Sequence, residues 1–328
     1  MGWNMGRSKI SVIGAGNVGA TLAQFLAIRE IGDVCLFDIV EGIPEGKALD
    51  IQEGSSHWGY DVMITGFSTV DPSAYKNLEN SDVIVVTAGF ARKPGMSRDD
   101  LLDANLKIIF DVSENIKKYS PDSIIVVVSN PADTLAYGLQ KITGIAPERI
   151  IGLGGTLDSA RFRIFVAQEL GVSVNDVTAF VIGGHGDDMV PFLRYSNVAG
   201  IPLLDLIDKK RADEIIKRTR FGGGEIVNLL KFGGAYYAPA ISIISMVEAI
   251  LKDKRRVIPC AVYLSGDIAS HYRADGIFIG VPIVLGRNGV ERIFKIDFTA
   301  EEWKLWERTV ASVKRNRQRV DELLFSRQ

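Results

Sequence analysis

Two segments of the chain carry side chains that could exchange protons and hold an anion. Residues 156–163, TLDSARFR, open a helix in which Asp158 and Arg161 stand three apart and share one face. Alone, such a pair could be an ordinary surface ion pair. Residues 177–188, VTAFVIGGHGDD, form a strand that runs into glycines and holds His185 at its end. A carboxylate that orients an imidazole, beside an arginine that grips a carboxylate, predicts an acid–base site.

Of the three histidines, one has this setting. His57 lies beside Trp58, and His271 lies in a sheet-like segment, so both are interpreted as structural residues. An imidazole titrates near pH 6.5, which lets His185 exchange a proton at neutral pH, and a neighbouring carboxylate stabilises its charged form. Arginine suits a carboxylate because its planar fork donates to two oxygens at once.

The elements that would position these groups begin with a short buried strand at residues 10–13, followed by GAGNVG and an apolar helical pattern. A second strand then ends at Asp38. This order, a strand, a glycine turn, a helix, a second strand and an acidic residue, predicts a dinucleotide-binding site. The alternative is a glycine-rich turn that binds nothing. Gly14 permits the tight turn, Gly16 lets a pyrophosphate approach the backbone, and Gly19 lets the helix pack on the strand.

The dinucleotide interpretation extends to the kind of cofactor. The phosphates would sit at the N-terminus of the helix, where backbone N–H groups and the helix dipole attract anions. Asp38 would accept hydrogen bonds from the hydroxyls of the adenosine ribose. A 2′-phosphate there would meet a like charge, so the sequence favours NAD over NADP.

Two further apolar runs, residues 81–89 and 123–129, have the composition of buried parallel strands. The second ends at Asn130, and ligands bind at the carboxyl ends of strands in open α/β sheets, although an asparagine here could equally be a turn residue. The loop between the two strands, residues 90–98 (FARKPGMSR), contains three basic residues and could be a solvated surface loop. A helix is predicted at residues 101–119.

After residue 152 the pattern changes. A charged helix at residues 205–220 is expected to break or hinge at three consecutive glycines, residues 222–224. The apolar residues 235–251 are interrupted by a proline and polar residues, which favours a buried core helix over a membrane span. A β-rich stretch precedes a last helix, which opens at Thr299 with a capping box.

These patterns predict an α/β fold. A doubly wound parallel-sheet NAD-binding (Rossmann) domain would occupy residues 1–151, and an α+β catalytic domain residues 152–328. The chain of 328 residues is long enough for two such domains.

The composition is that of an ordinary globular chain, with 47% hydrophobic and 24% charged residues and a formal net charge of −2. That charge favours neither nucleic acid nor a membrane as a partner. Cys35 and Cys260 lie far apart in apolar segments, which fits buried thiols of a reducing compartment better than a disulfide or a metal site. The N-terminus lacks the apolar core of a signal peptide, so we expect a cytoplasmic protein, and one without a bound metal.

Six motifs occur in order along the chain: GAGNVG, TAGFARKPGMSR, VSNPAD, LDSARFR, GGHGDDMVP and GGAYYAPA. With them the chain resembles the lactate/malate dehydrogenase family over nearly its whole length, and within it the lactate-dehydrogenase-like branch of malate dehydrogenases. The resemblance implies reversible hydride transfer between (S)-malate and NAD, giving oxaloacetate and NADH. The residues before Arg7 lie outside the resemblance.

The resemblance implies a role for each polar residue of the site. His185 is the catalytic acid–base, and Asp158 pairs with it. Arg161 holds the C1 carboxylate of the substrate, and Arg98, on a loop that closes over the substrate, polarises the C2 carbonyl. Arg92 selects the substrate, because an uncharged residue there goes with lactate and an arginine with malate.

The resemblance also implies the surroundings of the substrate. Asn130 touches the substrate oxygen and the nicotinamide ribose, and Ala235, where lactate dehydrogenases carry a threonine, leaves room for the longer acid. A homodimer or homotetramer is implied. A helix is also predicted at residues 44–54, where Pro44 suits a first turn, and we expect this helix to form a subunit contact. The residues that would bind the cofactor are Gly14, Gly16, Asn17, Val18, Gly19, Asp38, Thr87, Ala88, Gly89, Asn105, Val128 and Asn130.

Three alternatives differ from this function in sequence features. An L-lactate dehydrogenase, or another 2-hydroxy-acid dehydrogenase of the same family, is disfavoured by Arg92. An NAD-dependent glycosidase on the same fold needs a divalent metal held by cysteine and histidine, and no such cluster is evident in the sequence. A redox-sensing NAD-binding module would have no use for Asp158, Arg161 and His185 together.

Overall fold

The computed structural model describes residues 6–90, 98–231 and 233–325. Within the first half of the chain, strands and helices alternate, as the apolar runs and glycine turns predict. The elements are β1 (Lys9–Ile13), α1 (Asn17–Ile28), β2 (Asp33–Asp38), α2 (Ile43–Glu53), α3 (Ser55–Trp58), β3 (Ile64–Ser68), β4 (Val83–Val86), α4 (Arg98–Tyr119), β5 (Ile124–Val127), α5 (Ala132–Thr143) and β6 (Ile150–Gly152).

The first six strands lie in the order β3-β2-β1-β4-β5-β6, and every neighbouring pair among them is parallel. This order reverses direction between β1 and β4, and such a switch point is where open α/β sheets bind ligands. The predicted doubly wound parallel sheet is therefore confirmed.

The sheet is buried on both faces because each strand alternates its side chains between two helical layers. From β1, Ile10 and Val12 join a core cluster that contains Leu22 of α1, whereas Ile13 joins a second cluster that contains Leu106 of α4. The helices cover both faces, so functional groups meet at the carboxyl edge of the strands.

The second half of the chain mixes helices with short antiparallel strands. Its elements are α6 (Gly155–Leu170), β7 (Val177–Thr178), β8 (Val181–Gly183), β9 (Met189–Pro191), β10 (Asn197–Val198), β11 (Ile201–Pro202), α7 (Leu203–Leu206), α8 (Lys209–Leu230), α9 (Tyr237–Leu251), β12 (Arg256–Leu264), α10 (Gly266–Tyr272), β13 (Ile277–Gly286), β14 (Gly289–Ile293) and α11 (Ala300–Phe325).

The parallel sheet continues into these antiparallel strands. β6 pairs with β12, and the order runs on through β13, β8 and β9, with β14 on β13. Within the described part of the chain this sheet has eleven strands, and β7, β10 and β11 form a separate small sheet. The domain boundary expected at residue 151 falls inside β6, and the division of the chain there stays a prediction.

Helix α8 contradicts one expectation. The three glycines at 222–224 neither break nor hinge it, since the helix runs without interruption over Lys209–Leu230. Ala212, Ile215, Thr219 and Gly222 are buried along one face, and this packing outweighs the poor helix propensity of glycine.

Two other expectations about helices hold. Thr299 and Glu302 form the capping box, in which Thr299 N–H donates to Glu302 Oε2 at 2.8 Å and Glu302 N–H to Thr299 Oγ1 at 3.2 Å. The apolar residues 235–251 supply α9, whose core side is buried. Among the helices in the described ranges, none combines the length and the apolar character that crossing a bilayer requires.

Candidate active site

The glycine turn after β1 is built as its sequence predicts. Gly14 has a φ of +109°, and a Cβ there would lie 2.6 Å from Ala88 N and from Thr87 Oγ1. A Cβ on Gly19 would lie 1.9 Å from Gly14 O, so the first turn of α1 packs directly on the loop. A Cβ on Gly16 would meet nothing within 4 Å. The loop therefore leaves open space over the N-terminus of α1, which fits a pyrophosphate.

Asp38, at the end of β2, is fastened to this loop. Its Oδ2 accepts from Ala15 N–H at 2.7 Å and its Oδ1 from Val40 N–H at 3.0 Å. The amino group of Lys47 on α2 donates to Ala15 O at 2.6 Å. The carboxylate thus has a fixed orientation beside the turn, and each oxygen keeps a lone pair for another donor.

Side chains join the carboxyl end of β4 to the glycine turn and to the carboxyl end of β5. Thr87 Oγ1 donates to Gly14 O at 2.8 Å. Asn105, fully buried on α4, accepts from Phe90 N–H at 2.7 Å and donates to Asn130 O at 2.8 Å. The Asn105 amide thus holds together the two loops that follow β4 and β5 through their backbone groups.

His185 and Asp158 are brought together as the sequence predicts. His185 Nδ1 lies 2.8 Å from Asp158 Oδ2, and the aspartate side chain is 1% exposed. The Asp158 carboxylate raises the pKa of His185 above its ordinary 6.5, opposing burial and the cation of Arg161, which lower it. Because Nδ1 faces the carboxylate, the other ring nitrogen, Nε2, is left for proton exchange with a bound molecule.

The strand end that carries His185 is fixed from the far end of the chain. Gly184 N–H donates to Thr309 Oγ1 at 2.8 Å, and Thr309 is fully buried on α11. Gly183 has a φ of +85°, a conformation that side chains rarely adopt. The backbone just before His185 is therefore fixed by a hydrogen bond and by a turn that requires glycine.

Arg161 shares Asp158 with the histidine. Its Nη1 lies 3.4 Å from Asp158 Oδ1, and its side chain is 11% exposed. Arg161 Nε has no hydrogen-bond partner among the described residues. A largely buried guanidinium with N–H groups to spare can donate hydrogen bonds to both oxygens of a carboxylate.

A cavity of about 510 Å³ connects the nucleotide edge to this trio. It extends from the glycine turn to Ala235, and apolar side chains such as Leu101, Leu157 and Val227 form part of its wall. The predicted site residues that line it are Gly16, Asn17, Val18, Gly19, Thr87, Gly89, Val128, Asn130, Arg161 and His185. Gly14, Asp38, Ala88, Asn105 and Asp158 are not among its lining residues.

Two predicted substrate residues cannot be placed. Arg92 lies outside the described residues, with most of the loop expected to close over the substrate. Arg98 begins α4, and the structure describes its backbone but not its side chain. Their roles stay predictions.

Sequence reasoning missed a second carboxylate near the histidine. Asp133, in the first turn of α5, lines a neighbouring cavity of about 470 Å³ together with His185. Burial raises the pKa of Asp133, and hydrogen bonds from Thr134 lower it. Asp133 ends the VSNPAD motif, but nothing in that motif indicates that folding brings this carboxylate to the cavity that His185 lines, so only the folded chain reveals it.

The described residues contain neither an exposed thiol nor a cluster of metal-ligating side chains. Cys35 and Cys260 are free and buried, and burial raises the pKa of each thiol to about 12. Within the described ranges, no group of three or more His, Cys, Asp or Glu side chains could hold a metal ion.

Comparisons with known proteins agree with this architecture. The chain matches two successive family models: lactate/malate dehydrogenase, NAD binding domain, over residues 8–152, and lactate/malate dehydrogenase, alpha/beta C-terminal domain, over residues 155–323. A malate dehydrogenase of Thermoplasma volcanium is 69% identical over 320 residues, which are 98% of each protein.

Solved structures superpose on the chain. The apo malate dehydrogenase from Picrophilus torridus is 63% identical, with a TM-score of 0.97 covering 98% of this chain and 100% of that one. The lactate dehydrogenase from Cryptosporidium parvum, solved with lactic acid and nicotinamide adenine dinucleotide, is 40% identical, with a TM-score of 0.90 covering 96% and 98%. The chain belongs to the lactate/malate dehydrogenase family.

Proposed function

We propose that the protein is an NAD-dependent malate dehydrogenase, which transfers a hydride reversibly between (S)-malate and NAD to give oxaloacetate and NADH. The observation that carries the proposal is the contact of 2.8 Å between His185 Nδ1 and Asp158 Oδ2, beside Arg161 and at the end of the cavity that begins at the glycine turn. The high identity of the malate dehydrogenase from Thermoplasma volcanium favours malate over lactate.

The residues present fit a nicotinamide dinucleotide. Its pyrophosphate would lie over Gly16, where a Cβ would meet nothing within 4 Å, and its adenosine ribose would face Asp38. Asp38 would repel a 2′-phosphate, which is why we propose NAD and not NADP. When bound, the nicotinamide supplies the hydride acceptor in one direction and the donor in the other.

His185 moves the proton that accompanies the hydride. In malate oxidation, neutral His185 takes the proton of the C2 hydroxyl at Nε2 as hydride leaves C2. The imidazolium that forms is stabilised by Asp158 through Nδ1. In oxaloacetate reduction, the protonated imidazole donates to the C2 oxygen while negative charge develops on that oxygen.

Arg161 holds the substrate. Its guanidinium, already beside Asp158, would bind the C1 carboxylate with two N–H groups. Asn130 would donate to the C2 oxygen, and Arg98 would polarise the C2 carbonyl. These three contacts orient C2 between the nicotinamide and His185, and such positioning accounts for much of the acceleration in a two-substrate reaction.

The choice of a dicarboxylate would rest on Arg92. Oxaloacetate carries two carboxylates, and Arg161 accounts for one of them. With pyruvate bound, a methyl group would face Arg92, and an unpaired charge would be trapped as the loop closes. A buried unpaired charge costs about 3–5 kcal/mol, and even the lower figure is a discrimination of about a hundredfold.

The same proposal covers the assembly and the compartment. A homodimer or homotetramer would bury the exposed apolar side chains of α2 and α3, among them Leu49 at 60% and Trp58 at 66% exposure. We propose a cytoplasmic protein, in which the buried thiols of Cys35 and Cys260 stay reduced. Light scattering after size-exclusion chromatography measures the number of subunits.

Parallel rate measurements test the function. The purified protein is mixed with NADH and either oxaloacetate or pyruvate, and the loss of NADH absorbance is followed. We expect kcat/KM for oxaloacetate to exceed that for pyruvate by at least about a hundredfold. Addition of a chelator should leave the rate unchanged, and NADPH should be a poor substitute. Equal or better use of pyruvate would contradict the proposal.

A further inference from the structure

Three consecutive glycines in the interior of α8 have different surroundings. A Cβ on Gly222 would lie 3.2 Å from Cδ and 3.6 Å from Nε of Arg161. A Cβ on Gly223 would lie 3.6 Å from Nη2 and 3.9 Å from Nη1 of the same arginine. A Cβ on Gly224 would meet nothing within 4 Å.

The backbone does not explain these glycines. All three lie within the regular helix Lys209–Leu230, and none has the positive φ that favours glycine. Glycine lowers the stability of a helix interior relative to alanine, because it leaves the unfolded chain more freedom. A run of three therefore needs another reason, and the missing side chains at 222 and 223 leave space on the Arg161 side.

That space contains the Arg161 side chain. Gly222 is buried against the aliphatic part of the arginine, and Gly223 lines the same cavity as its guanidinium. Asp158 Oδ1 lies 3.4 Å from Arg161 Nη1. The guanidinium thus has two neighbours, the Asp158 carboxylate and the bare backbone of α8 at Gly222 and Gly223.

We propose that Gly222 and Gly223 are positioning residues that aim the Arg161 guanidinium at a carboxylate of the substrate. The inference rests on the proposed function and deepens it, because it extends carboxylate recognition to a second helix. At Gly222 a methyl group would be closer to Arg161 than ordinary van der Waals contact allows, so the arginine would shift by a few tenths of an ångström. At Gly223 the contact would be ordinary, so the disturbance would be smaller.

The test compares Gly222→Ala, Gly223→Ala and the matched control Gly224→Ala in the full-length protein. The probes are oxaloacetate as substrate and malonate, a dicarboxylate that cannot accept a hydride, as competitive inhibitor. In Gly222→Ala we expect KM for oxaloacetate and Ki for malonate to rise together by about tenfold, since a displacement of 1 Å in a site can cost about a hundredfold. Gly223→Ala should show a smaller rise, and Gly224→Ala none. The NADH dissociation constant and Tm should not worsen in the control or in Gly222→Ala.

The outcomes separate positioning from packing and from the function itself. If Gly222→Ala kept the KM and Ki of Gly224→Ala, the inference would be wrong. It would also be wrong if Gly222→Ala lost Tm and kcat without a change in KM, which would indicate a packing role alone. The proposed function is tested separately, on the unmodified protein. If that protein failed to reduce oxaloacetate, the proposed function would be wrong, whatever the alanine variants do.

Discussion

Replacement of Asp158 by asparagine would test how the carboxylate acts on the histidine. The contact between His185 Nδ1 and Asp158 Oδ2 measures 2.8 Å, and Asp158 is fully buried, so water and salt screen it little. A hydrogen bond to a charged group contributes about 1.5–3 kcal/mol. Asparagine keeps the shape and loses the charge, so kcat for malate oxidation should fall by about 10- to 100-fold.

The same substitution should move the pH profile in a stated direction. Asp158 raises the pKa of His185, so the protonated acid of oxaloacetate reduction is present at low pH and is lost as pH rises through that raised value. Asp158→Asn should shift this loss to lower pH. Because the pKa of His185 is higher in the folded protein than in the unfolded chain, the contact between His185 and Asp158 stabilises the fold fully below the unfolded-chain pKa. This contribution is lost as pH rises through the raised pKa of His185 in the folded protein.

Steady-state rates in both directions between pH 5 and 10 measure the fall in kcat and the shift of the pH profile. Glu169→Gln is a matched control, because it removes a carboxylate from the same helix that is paired with Arg211 away from the site. The control should keep the normal kcat and pH profile. An Asp158→Asn variant with unchanged kcat and an unchanged profile would refute the assignment of Asp158 as the partner that charges His185.

Three other substitutions probe the remaining contacts. Asp38→Ser should reduce the preference for NADH over NADPH, measured as the ratio of kcat/KM values, because it removes the charge that opposes a 2′-phosphate; a ratio that does not change would place the discrimination elsewhere. Arg161→Ala should lower kcat/KM for oxaloacetate by at least about 10- to 100-fold through the loss of charge-assisted hydrogen bonds, with NADH affinity retained, and a normal KM would mean that another cation holds the carboxylate. Arg92→Gln should lower oxaloacetate activity and raise pyruvate activity, and an unchanged substrate ratio would point to Lys93 as the next residue to replace.

The nucleotide half of the fold was predictable because two glycines of its turn, Gly14 and Gly19, leave no room for a side chain. A Cβ on Gly19 would lie 1.9 Å from Gly14 O, so the motif carries a geometric requirement that is visible in the sequence. The strands beside it are continuous apolar runs bounded by turns, and β2 ends at Asp38 as expected. Local pattern and tertiary position agree here.

Helix α8 shows where such reasoning failed. Three adjacent glycines weaken a helix considered alone, and the sequence therefore predicted a break. The packing of α8 on α6 and the side chain of Arg161 supply what the local sequence lacks. The contact between Gly222 and Arg161 joins residues about 60 positions apart, so a rule based on neighbouring residues cannot predict it.

The contact between His185 and Asp158 was predictable from the sequence, and the hydrogen bonds that fix the surrounding backbone were not. Asp158, Arg161 and His185 are chemically distinctive and stand in glycine-rich contexts, which motif reading can find. Thr309, which fixes the backbone of Gly184, is an ordinary polar residue of a long helix, and its partner becomes visible only in the folded chain. Asn105 was predicted to bind the cofactor, but the hydrogen bonds by which it joins two loops were not predicted.

The turnover of His185→Asn with NADH and oxaloacetate measures most directly whether His185 transfers the proton. Asparagine should leave NADH binding and the fold intact while it removes the group that gives and takes the proton. General acid–base groups contribute about 10²–10⁴-fold, so kcat should fall at least that far, with the dissociation constant of NADH unchanged. A His185→Asn variant that binds NADH and turns over oxaloacetate at nearly the normal rate would show that another group transfers the proton.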